Sequence, residues 1–428
     1  MSEQAARRWR RLLVVVCVAT MTSAMWQCGG GSSGGNPETG PFPDGFLGLV
    51  NVSQNVTQCG ECHADEQGRW ALTGHAVAFD TLAAIGRESS ELSCAPCHNV
   101  SANGNALMDP MAGFVGTPVA ELHNVQCESC HGPGARHVAD VKEHPDASIS
   151  VSLNDGCGDC HQGAHHPFVE EWMESAHAES HVSGQAFGLN VAGDPACAYC
   201  HVTQAFTRFV ETDGDEQIIT ANPEPINCVA CHDPHGNGNE HLVRVVGDEP
   251  MVCGQCHNQG PTMIGETPHH PQRDLLLGEA GFEFPGEVFP GASTHGDLTL
   301  NPDICVTCHV VTRPFERGEF PIPAQVGHTF EPIPVIDEAT NERDFSNCQD
   351  CHADTATIFT VFRAEIDPLA ADLGAALDAV PEAKRGSEVY QGALFNLQTF
   401  ENDKSHGVHN PSRMRRLLQA SLEKLSEL

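Results

Sequence analysis

The chain has 428 residues, including 20 cysteines and 25 histidines, while Phe, Trp and Tyr make up only 6% of it. Its 57 acidic and 22 basic side chains give a formal charge of −35, which repels nucleic acid and anionic lipid and favours basic partner proteins. So few aromatic residues, with 41 glycines and 28 prolines, predict a poor protein-only core and a loop-rich chain with short helices.

The first 28 residues predict an export signal. Four arginines between positions 7 and 11 precede an apolar stretch from Leu12 to Met25, which is too short to span a bilayer convincingly. A flexible Gly/Ser/Pro linker at 29–46 follows Cys28, and this arrangement suggests a lipoprotein anchored to the outer membrane through a lipid on Cys28. The alternative is ordinary cleavage near residues 22–24, with Cys28 as a spare thiol. In both cases we expect an exported protein, in the periplasm or at the outer membrane and cell surface.

From residue 59 onward one motif, Cys-x-x-Cys-His, organises the sequence. Two thiols at this spacing can each add to one vinyl group of a porphyrin while the following imidazole binds the iron, which is the attachment pattern of c-type haem. Zinc knuckles and disulfides also use paired cysteines, but neither requires a histidine after every pair. The motif occurs nine times, and we number the copies 1 to 9 in chain order: Cys59/Cys62/His63, Cys94/Cys97/His98, Cys127/Cys130/His131, Cys157/Cys160/His161, Cys197/Cys200/His201, Cys228/Cys231/His232, Cys253/Cys256/His257, Cys305/Cys308/His309 and Cys348/Cys351/His352. The sequence therefore predicts nine covalently attached haems, whose apolar faces would form much of the core.

The motifs recur in groups of three. Motifs 1, 4 and 7 each begin Cys-Gly, at intervals of about 100 residues. Between motifs 1 and 2, four residues separate Trp70 from His75, and between motifs 4 and 5 four residues separate Trp172 from His177. His295 occupies the corresponding gap in the third group, without a tryptophan. We predict three trihaem repeats, the alternative being that dense haem motifs resemble one another anyway. The repeats would cover about residues 50–150, 151–245 and 246–360 of a haem-bearing region that spans 47–360.

After residue 360 the apolar pattern becomes helical. Asp367 and Pro368 predict the start of a helix that Pro381 would end, and Asn410 with Pro411 predicts the start of the last helix. The apolar stripes are Leu369, Leu373, Ala376, Leu377 and Val380 in the first helix, Ala393, Leu394, Leu397 and Phe400 in a second, and Met414, Leu417, Leu418, Leu422 and Leu425 in the third. We expect helices over 361–428 that form a bundle core or a dimer interface.

Nine of the 25 histidines belong to the motifs, so 16 remain for the second axial position of the irons. A second imidazole makes an iron six-coordinate and suits it to one-electron transfer, whereas an open position permits substrate chemistry. The candidates for this position are His75, His137, His177, His235, His270, His295, His328 and His409, with His166 or its neighbour His165 as the ninth. We interpret His123, His144, His181 and His241 as ordinary surface histidines.

Several of these elements resemble the bacterial multihaem cytochrome c superfamily. They are Cys127-Glu-Ser-Cys-His-Gly-Pro-Gly with the later His137, the Trp-to-His elements, and Gly407-Val-His-Asn-Pro before a leucine-rich helix. That superfamily includes tetrahaem electron carriers, decahaem outer-membrane conduits, and hydroxylamine oxidoreductase, tetrathionate reductase and nitrite reductase enzymes. The resemblance covers residues 50–428 and implies closely packed haems. It also implies that His75, His137 and His177 bind haems other than the nearest ones in sequence.

The chain departs from the enzymes of that superfamily. Its nine motifs all end in histidine, whereas the related nitrite reductases use lysine in one motif. Tyr199 lies inside a motif, which leaves Tyr390 to match the tyrosine that hydroxylamine oxidoreductases cross-link to haem. The sequence therefore predicts an exported nonahaem cytochrome that transfers electrons through mostly bis-histidine haems in respiratory or extracellular electron transfer. The alternatives are a reductase of a small nitrogen or sulfur oxyanion at one five-coordinate haem, with Arg313 or Arg317 holding the anion, and a homodimer or filament subunit.

Overall fold

The computed structural model describes residues 42, 45–86, 95–100, 120–141, 157–163, 167–212, 214–244, 252–259, 264–315, 322–337 and 339–428. Residues 39–428 group as one compact unit. Several predictions fall outside the described residues: the export signal, lipidation of Cys28, nearly all of the linker, Cys94, His144, His165, His166, Arg317 and the side chain of Arg313.

The haem-bearing region consists of short helices joined by loops, because glycine and proline interrupt every longer helical pattern. Its longest described helix, α8, has nine residues. The helices are α1 Ala64–Trp70, α2 Ala78–Ala84, α3 Ala95–His98, α4 Cys127–His131, α5 Ala135–Ala139, α6 Phe168–Glu174, α7 Pro195–His201, α8 Thr203–Glu211, α9 Cys228–Cys231, α10 Gln272–Leu277 and α11 Cys305–His309. The strands form three antiparallel pairs: β1 Leu49–Asn51 with β2 Val56–Thr57, β3 Arg313–Phe315 with β4 Ile322–Gln325, and β5 Val335–Asp337 with β6 Glu342–Arg343. The predicted fold class, mostly α with much irregular loop, is confirmed.

Three longer helices follow: α12 Thr355–Ala379, α13 Glu388–Asp403 and α14 Pro411–Ser426. The predicted second and third helices are confirmed, and the Asn410 side chain caps α14 by accepting a hydrogen bond from Arg413 N at 3.1 Å. Within the described residues, no helix is both long and apolar enough to cross a membrane.

The predicted start of the first of these helices at Asp367 and Pro368 is wrong. Helix α12 begins at Thr355, before the predicted boundary at residue 361, and Pro368 lies inside it. The earlier start has a local cause, since the Asp354 side chain accepts a hydrogen bond from Thr357 N at 3.2 Å. Proline removes one main-chain donor from the helix, and burial of apolar side chains such as Ile366 on the inner face offsets that cost.

Within the described residues, the largest protein core lies among these three helices and the segment 275–284, which is the end of helix α10 and the loop after it. Leu373, Met414 and Leu418 are completely buried in it. The buried Arg413 fixes the loop by donating to Ala280 O and Pro290 O, both at 2.7 Å. The C-terminal helices therefore pack as a conventional apolar core. The apolar clusters described elsewhere contain only three or four buried residues each.

Candidate haem sites

Each Cys-x-x-Cys-His motif that the structure describes in full occupies about one helical turn. In motifs 1, 4, 6, 7 and 9 the histidine N–H donates to the carbonyl oxygen of the first cysteine, at 2.8–2.9 Å. Residues three and four positions apart share one face of such a turn, so both sulfurs and the imidazole face the same side. This is the donor set that covalent attachment and iron ligation of a c-type haem require.

The second cysteines of motifs 2, 3 and 4 are placed by main-chain structure. Cys97 lies in helix α3 and Cys130 in helix α4, while the N–H of Cys160 donates three residues back along the chain at 3.2 Å. All three are half-buried, as are the first cysteines Cys197 and Cys348 of motifs 5 and 9. Haem attachment at these cysteines, as at those of the other motifs, stays a prediction that rests on the motifs themselves.

The Nδ1 atoms of four motif histidines, His98, His201, His232 and His309, face main-chain carbonyl oxygens. His98 contacts Ala78 O at 2.7 Å, and His309 contacts Phe330 O at 2.9 Å. A protonated Nδ1 that donates to a carbonyl leaves the lone pair of Nε2 available for a metal. At motifs 2, 5, 6 and 8 these carbonyl contacts therefore favour the ring orientation and the tautomer needed for iron binding.

All eight predicted second ligands within the described residues lie opposite a motif histidine. A metal–imidazole bond is about 2.0–2.1 Å long, so two rings on opposite sides of one metal have centroids about 6 Å apart. The pairs and their centroid distances are His63–His137 at 6.4 Å, His75–His161 at 6.1 Å, His131–His235 at 6.0 Å, His177–His257 at 6.0 Å, His201–His270 at 6.2 Å, His232–His328 at 6.2 Å, His295–His352 at 6.1 Å and His309–His409 at 6.1 Å. Each gap has the size that one iron between two imidazoles would need.

The paired histidines come from distant parts of the chain. His75 lies opposite motif 4, His137 opposite motif 1 and His177 opposite motif 7, in each case a motif other than the nearest in sequence. The resemblance to multihaem cytochromes implies the same arrangement, in which these three histidines face haem motifs other than the nearest ones in sequence.

Two tryptophans set the approach of His75 and His177. Trp70 Nε1 donates to Val125 O at 2.9 Å, and Trp172 Nε1 donates to Ile226 O at 2.8 Å. Both carbonyls lie two residues before the first cysteine of a motif, motif 3 and motif 6 respectively. The same contact therefore occurs at the same place in the first two predicted repeats.

Buried carboxylates, which the sequence analysis did not identify, hold other loops in place. Glu171 accepts hydrogen bonds from Val326 N and His328 N, both at 2.8 Å, and so positions His328 opposite motif 6. Glu128, inside motif 3, accepts from the main-chain N–H groups of Gly48 and Gly134 at 2.8 Å. In the sequence, Glu171 is visible only as a neighbour of Trp172, and Glu128 only as a residue inside motif 3. Glutamates in such positions are too common to be singled out.

Motif 5 faces two adjacent imidazoles. His201 lies 6.2 Å from His270 and 6.3 Å from His269, centroid to centroid, and a nitrogen of each of the three rings lies within 4.8 Å of the others. The sequence analysis named only His270. His269 therefore shares the position opposite motif 5.

The remaining histidines occupy varied environments. His241 is exposed, as expected for a surface residue. His123 and His181 are half-buried, and His123 stacks on Phe79 with a centroid distance of 3.7 Å, so the surface interpretation was wrong for these two. Neither of these two was among the predicted ligands.

Burial lowers the pKa of several paired imidazoles and so favours their neutral form. It lowers the pKa of His177 and of His257 to about 4, and that of His270 to about 3. His409 differs: burial favours its neutral form, but the charge and hydrogen bond of Asp403 raise its pKa overall. A metal ligand must be deprotonated at the binding nitrogen, so lowered pKa values suit these rings to iron.

Comparisons with known proteins agree with this donor set. A family model described as cytochrome c554 and c-prime matches residues 58–132, which contain motifs 1 to 3. A model of a doubled CXXCH motif matches residues 224–262, which contain motifs 6 and 7.

Three curated relatives are multihaem proteins. The high-molecular-weight cytochrome c of Nitratidesulfovibrio vulgaris is 24% identical over 278 residues, which are 59% of this chain and 43% of that protein. The multiheme cytochrome MtrA of Shewanella baltica is 25% identical over 198 residues, 41% of this chain and 56% of that one. The C-type polyheme cytochrome OmcB of Geobacter sulfurreducens is 25% identical over 282 residues, 59% of this chain and 31% of that one. The chain thus matches less than two thirds of the length of each relative.

Two solved structures share the fold. The outer cell wall cytochrome OcwA superposes with a TM-score of 0.59 at 22% identity, over 80% of this chain and 78% of that one. The undecaheme cytochrome from the S-layer of Carboxydothermus ferrireducens also gives a TM-score of 0.59, at 19% identity, over 89% of this chain and 70% of that one. Family models, relatives and structural neighbours are all multihaem cytochromes, which confirms the predicted resemblance and supports covalent c-type haem as the cofactor.

Proposed function

We propose that this chain is an exported nonahaem c-type cytochrome that transfers electrons between redox partner proteins in respiratory or extracellular electron transfer. The observation that carries the proposal is the pairing of eight motif histidines with a second imidazole at 6.0–6.4 Å. Bound haem supplies one-electron redox chemistry, and two axial imidazoles favour electron transfer over substrate binding. The relatives and structural neighbours are cytochromes, and two bear names that place them in an outer cell wall and an S-layer, in line with export.

In this proposal the eight paired histidines are the second axial ligands. For motif 2 we propose His166, or its neighbour His165, on the basis of the repeat. The sequence His165-His-Pro precedes helix α6 just as His269-His-Pro precedes helix α10, and the latter pair lies opposite motif 5, the equivalent of motif 2. The chain would then supply two imidazoles to every one of nine haems.

Contacts between motifs support a main row of sites. The sulfur of Cys59 lies next to that of Cys127, and the sulfur of Cys253 lies next to that of Cys305, so motif 1 adjoins motif 3 and motif 7 adjoins motif 8. His235, which lies opposite motif 3, follows motif 6 by three residues. Motifs 3 and 6 are therefore neighbours.

The row continues toward the C-terminal helices. Cys231 of motif 6 and Cys256 of motif 7 belong to one apolar cluster. Asn347 Nδ2, beside motif 9, donates to Cys308 O of motif 8 at 3.4 Å. We infer the order 1–3–6–7–8–9 for this row.

Two further sites adjoin the row from the side. The sulfur of Cys157 lies next to that of Cys228, and the sulfur of Cys200 lies next to that of Cys256, so motif 4 adjoins motif 6 and motif 5 adjoins motif 7. The haems of motifs 4 and 5 could therefore accept or store electrons, in addition to those at the two ends of the row.

The two ends of the row are the exposed ones. Cys62 of motif 1 and Cys351 of motif 9 are exposed, while the other described cysteines are half-buried. Closely spaced, exposed redox sites at both ends suit a protein that receives electrons from one partner and passes them to another. The charge of −35 favours basic partners, and an export signal at residues 1–28 with a lipid on Cys28 would hold such a protein at the outer membrane.

Electron paramagnetic resonance of the fully oxidised protein, with a haem-to-protein ratio from the same sample, tests this proposal. We expect nine haems per chain, all low-spin. His177→Ala should convert one low-spin haem to high-spin without changing the haem count, because His177 lies 6.0 Å from His257. His181→Ala, at a half-buried histidine outside the pairs, is the matched control and should leave the haem count and the spin state unchanged.

A different spectrum would favour the alternatives. A high-spin signal that integrates to one haem in the unmodified protein and responds to nitrite, hydroxylamine or sulfite would favour the reductase. The described tyrosine proposed for that chemistry, Tyr390, packs against the core of the C-terminal helices, which gives the reductase no support.

A further inference from the structure

A buried carboxylate lies directly behind His409. Asp403 Oδ1 is 2.6 Å from His409 Nδ1, and the Asp403 side chain is 0% exposed. The Ser405 hydroxyl donates to the other carboxylate oxygen, Oδ2, and Gly407 N approaches the same oxygen at 3.4 Å. The carboxylate therefore accepts hydrogen bonds from the protein on both oxygens and is shielded from water.

The turn that carries this carboxylate has little freedom to relax. Lys404, His406 and Gly407 all adopt positive φ angles, of 60°, 56° and 85°. A Cβ on Gly407 would lie 2.8 Å from Met414 Cγ, closer than side chains tolerate, so helix α14 packs tightly against the turn. Asp403 and His409 are thus held in a fixed mutual orientation.

Other candidate ligands have neutral partners at Nδ1. Six of them face main-chain carbonyl oxygens at 2.7–3.1 Å: His98, His201, His232, His295, His309 and His328. His235 lies 3.8 Å from Asp233, beyond hydrogen-bond distance, and that carboxylate also pairs with Arg69 at 3.3 Å. The contact at His409 combines a short hydrogen bond, a full negative charge and burial.

We propose that Asp403 is a positioning residue that lowers the reduction potential of the haem held by motif 8. The inference rests on the proposed function, because it takes His409 as the second ligand opposite His309. A carboxylate that accepts a hydrogen bond from Nδ1–H increases the electron density on the imidazole. A more basic axial ligand stabilises ferric over ferrous iron. Burial keeps the charge of Asp403 unscreened, so its effect at this site exceeds that of a neutral carbonyl.

The position of motif 8 gives this tuning a consequence for electron flow. Motif 8 adjoins motifs 7 and 9 in the inferred row. If the haem of motif 8 has a lower reduction potential than its neighbours, an electron on the haem of motif 7 must take an uphill step to reach it. A strong electron donor at one end of the row, or an oxidising partner at the other, would drive transfer through that step to motif 9.

The test is a potentiometric titration of the holoprotein carrying Asp403→Asn, followed by absorbance and electron paramagnetic resonance. Asparagine keeps the shape and can still accept a hydrogen bond, but it removes the charge. We expect one haem of nine to become at least tenfold easier to reduce at a given potential, a shift of about 59 mV for one electron. The low-spin signal of that haem should move as well.

Asp367→Asn is the matched control. Asp367 Oδ1 contacts Nδ1 of His406, three residues from His409, at 3.0 Å. His406 is not a candidate ligand, and the side chains of both residues are more than a third exposed. The same loss of charge there should leave the motif 8 potential unchanged. An equal shift in both variants would reduce the effect to general electrostatics and overturn the proposal.

Ser405→Ala supplies a change of opposite sign and decides the matter if Asp403→Asn fails to fold. Without the Ser405 hydroxyl, the carboxylate becomes a stronger acceptor for His409, so the potential of the same haem should fall. A potential that stays fixed or rises in Ser405→Ala would overturn the proposal, as would an unmoved potential in a folded Asp403→Asn. His409→Ala separates this failure from failure of the proposed function, because nine low-spin haems in that variant would show that His409 is not a ligand.

Discussion

The haem-bearing region and the C-terminal helices bury their apolar side chains in different ways. Apart from the segment 275–284, which packs on the C-terminal helices, the described apolar clusters between residues 45 and 352 are small, such as that of Leu49, Trp70 and Ala76. Helices α12 to α14 share one continuous core in which Leu373 and Met414 are completely buried. The same chain thus contains a region with little apolar core of its own and a region with a conventional one.

This difference indicates the role of the buried polar contacts in the haem-bearing region. Hydrogen bonds such as those from Trp172 and to Glu171 position loops that carry imidazoles, rather than closing an apolar interior. Haem faces would supply the missing apolar surface between those loops. The C-terminal helices need no apolar surface from haem. The turn at residues 404–407 packs on these helices and thereby positions His409.

Preventing haem attachment should have the largest effect and would test the contrast directly. Without haem, we expect amide hydrogens in the haem-bearing region to exchange rapidly, because its protein clusters are too small to hold the loops together. Amides in α12 to α14 should stay protected, since their core is made of protein side chains. Hydrogen exchange with mass spectrometry measures both regions in one sample, and equal loss of protection in both would show that the contrast is wrong.

Acidification should destabilise the haem-bearing region next most strongly. Burial lowers the pKa of His177 and His257 to about 4, below the ordinary value of 6.5, so the unfolded chain binds more protons than the folded one between these values. Stability is therefore complete above pH 6.5 and is lost as the pH falls from 6.5 towards 4, by on the order of 3 kcal/mol for each ring. Iron on the same rings would act in the same direction. Denaturant unfolding of the holoprotein at pH 7, 6 and 5 measures the loss, and a midpoint that rises on acidification would contradict it.

Truncation of the C-terminal core should cost less and leave the haems intact. Leu373→Ala should lower the free energy of unfolding of this core by about 2–5 kcal/mol, because Leu373 is completely buried. The absorbance of the low-spin haems should not change. Leu72→Ala, at a leucine that is 83% exposed, is the control and should shift stability by no more than about 0.5 kcal/mol. A changed haem spectrum in Leu373→Ala would show that the two regions do not behave as distinct cores.

The smallest expected effect compares two repeats within the haem-bearing region. Trp172→Phe removes the hydrogen bond to Ile226 O and should cost about 1 kcal/mol. Trp70→Phe removes the equivalent bond to Val125 O and should cost about the same. Unfolding curves of the two variants make the comparison, and clearly unequal costs would argue against equivalent roles in the two repeats.

The sequence predicted the local elements well where a short signal decides the structure. The Asn410–Pro411 start of α14 is such a signal, and the apolar stripe from Met414 to Leu425 gave the buried face of that helix. The start of α12 was misplaced because Asp367 and Pro368 form a good local start signal, yet Asp354 supplies an earlier cap and the burial of Ile366 carries the helix through the proline.

By itself, the sequence determined where haem can attach and which histidines could complete the iron sites. Attachment depends on cysteines and a histidine within one helical turn, and five consecutive residues specify that turn. Only the tertiary structure decided that His75 faces motif 4, that His269 as well as His270 faces motif 5, and that Asp403 lies behind His409. These contacts depend on the path of loops between segments distant in sequence, and on buried carboxylates whose partners become neighbours only when the chain folds.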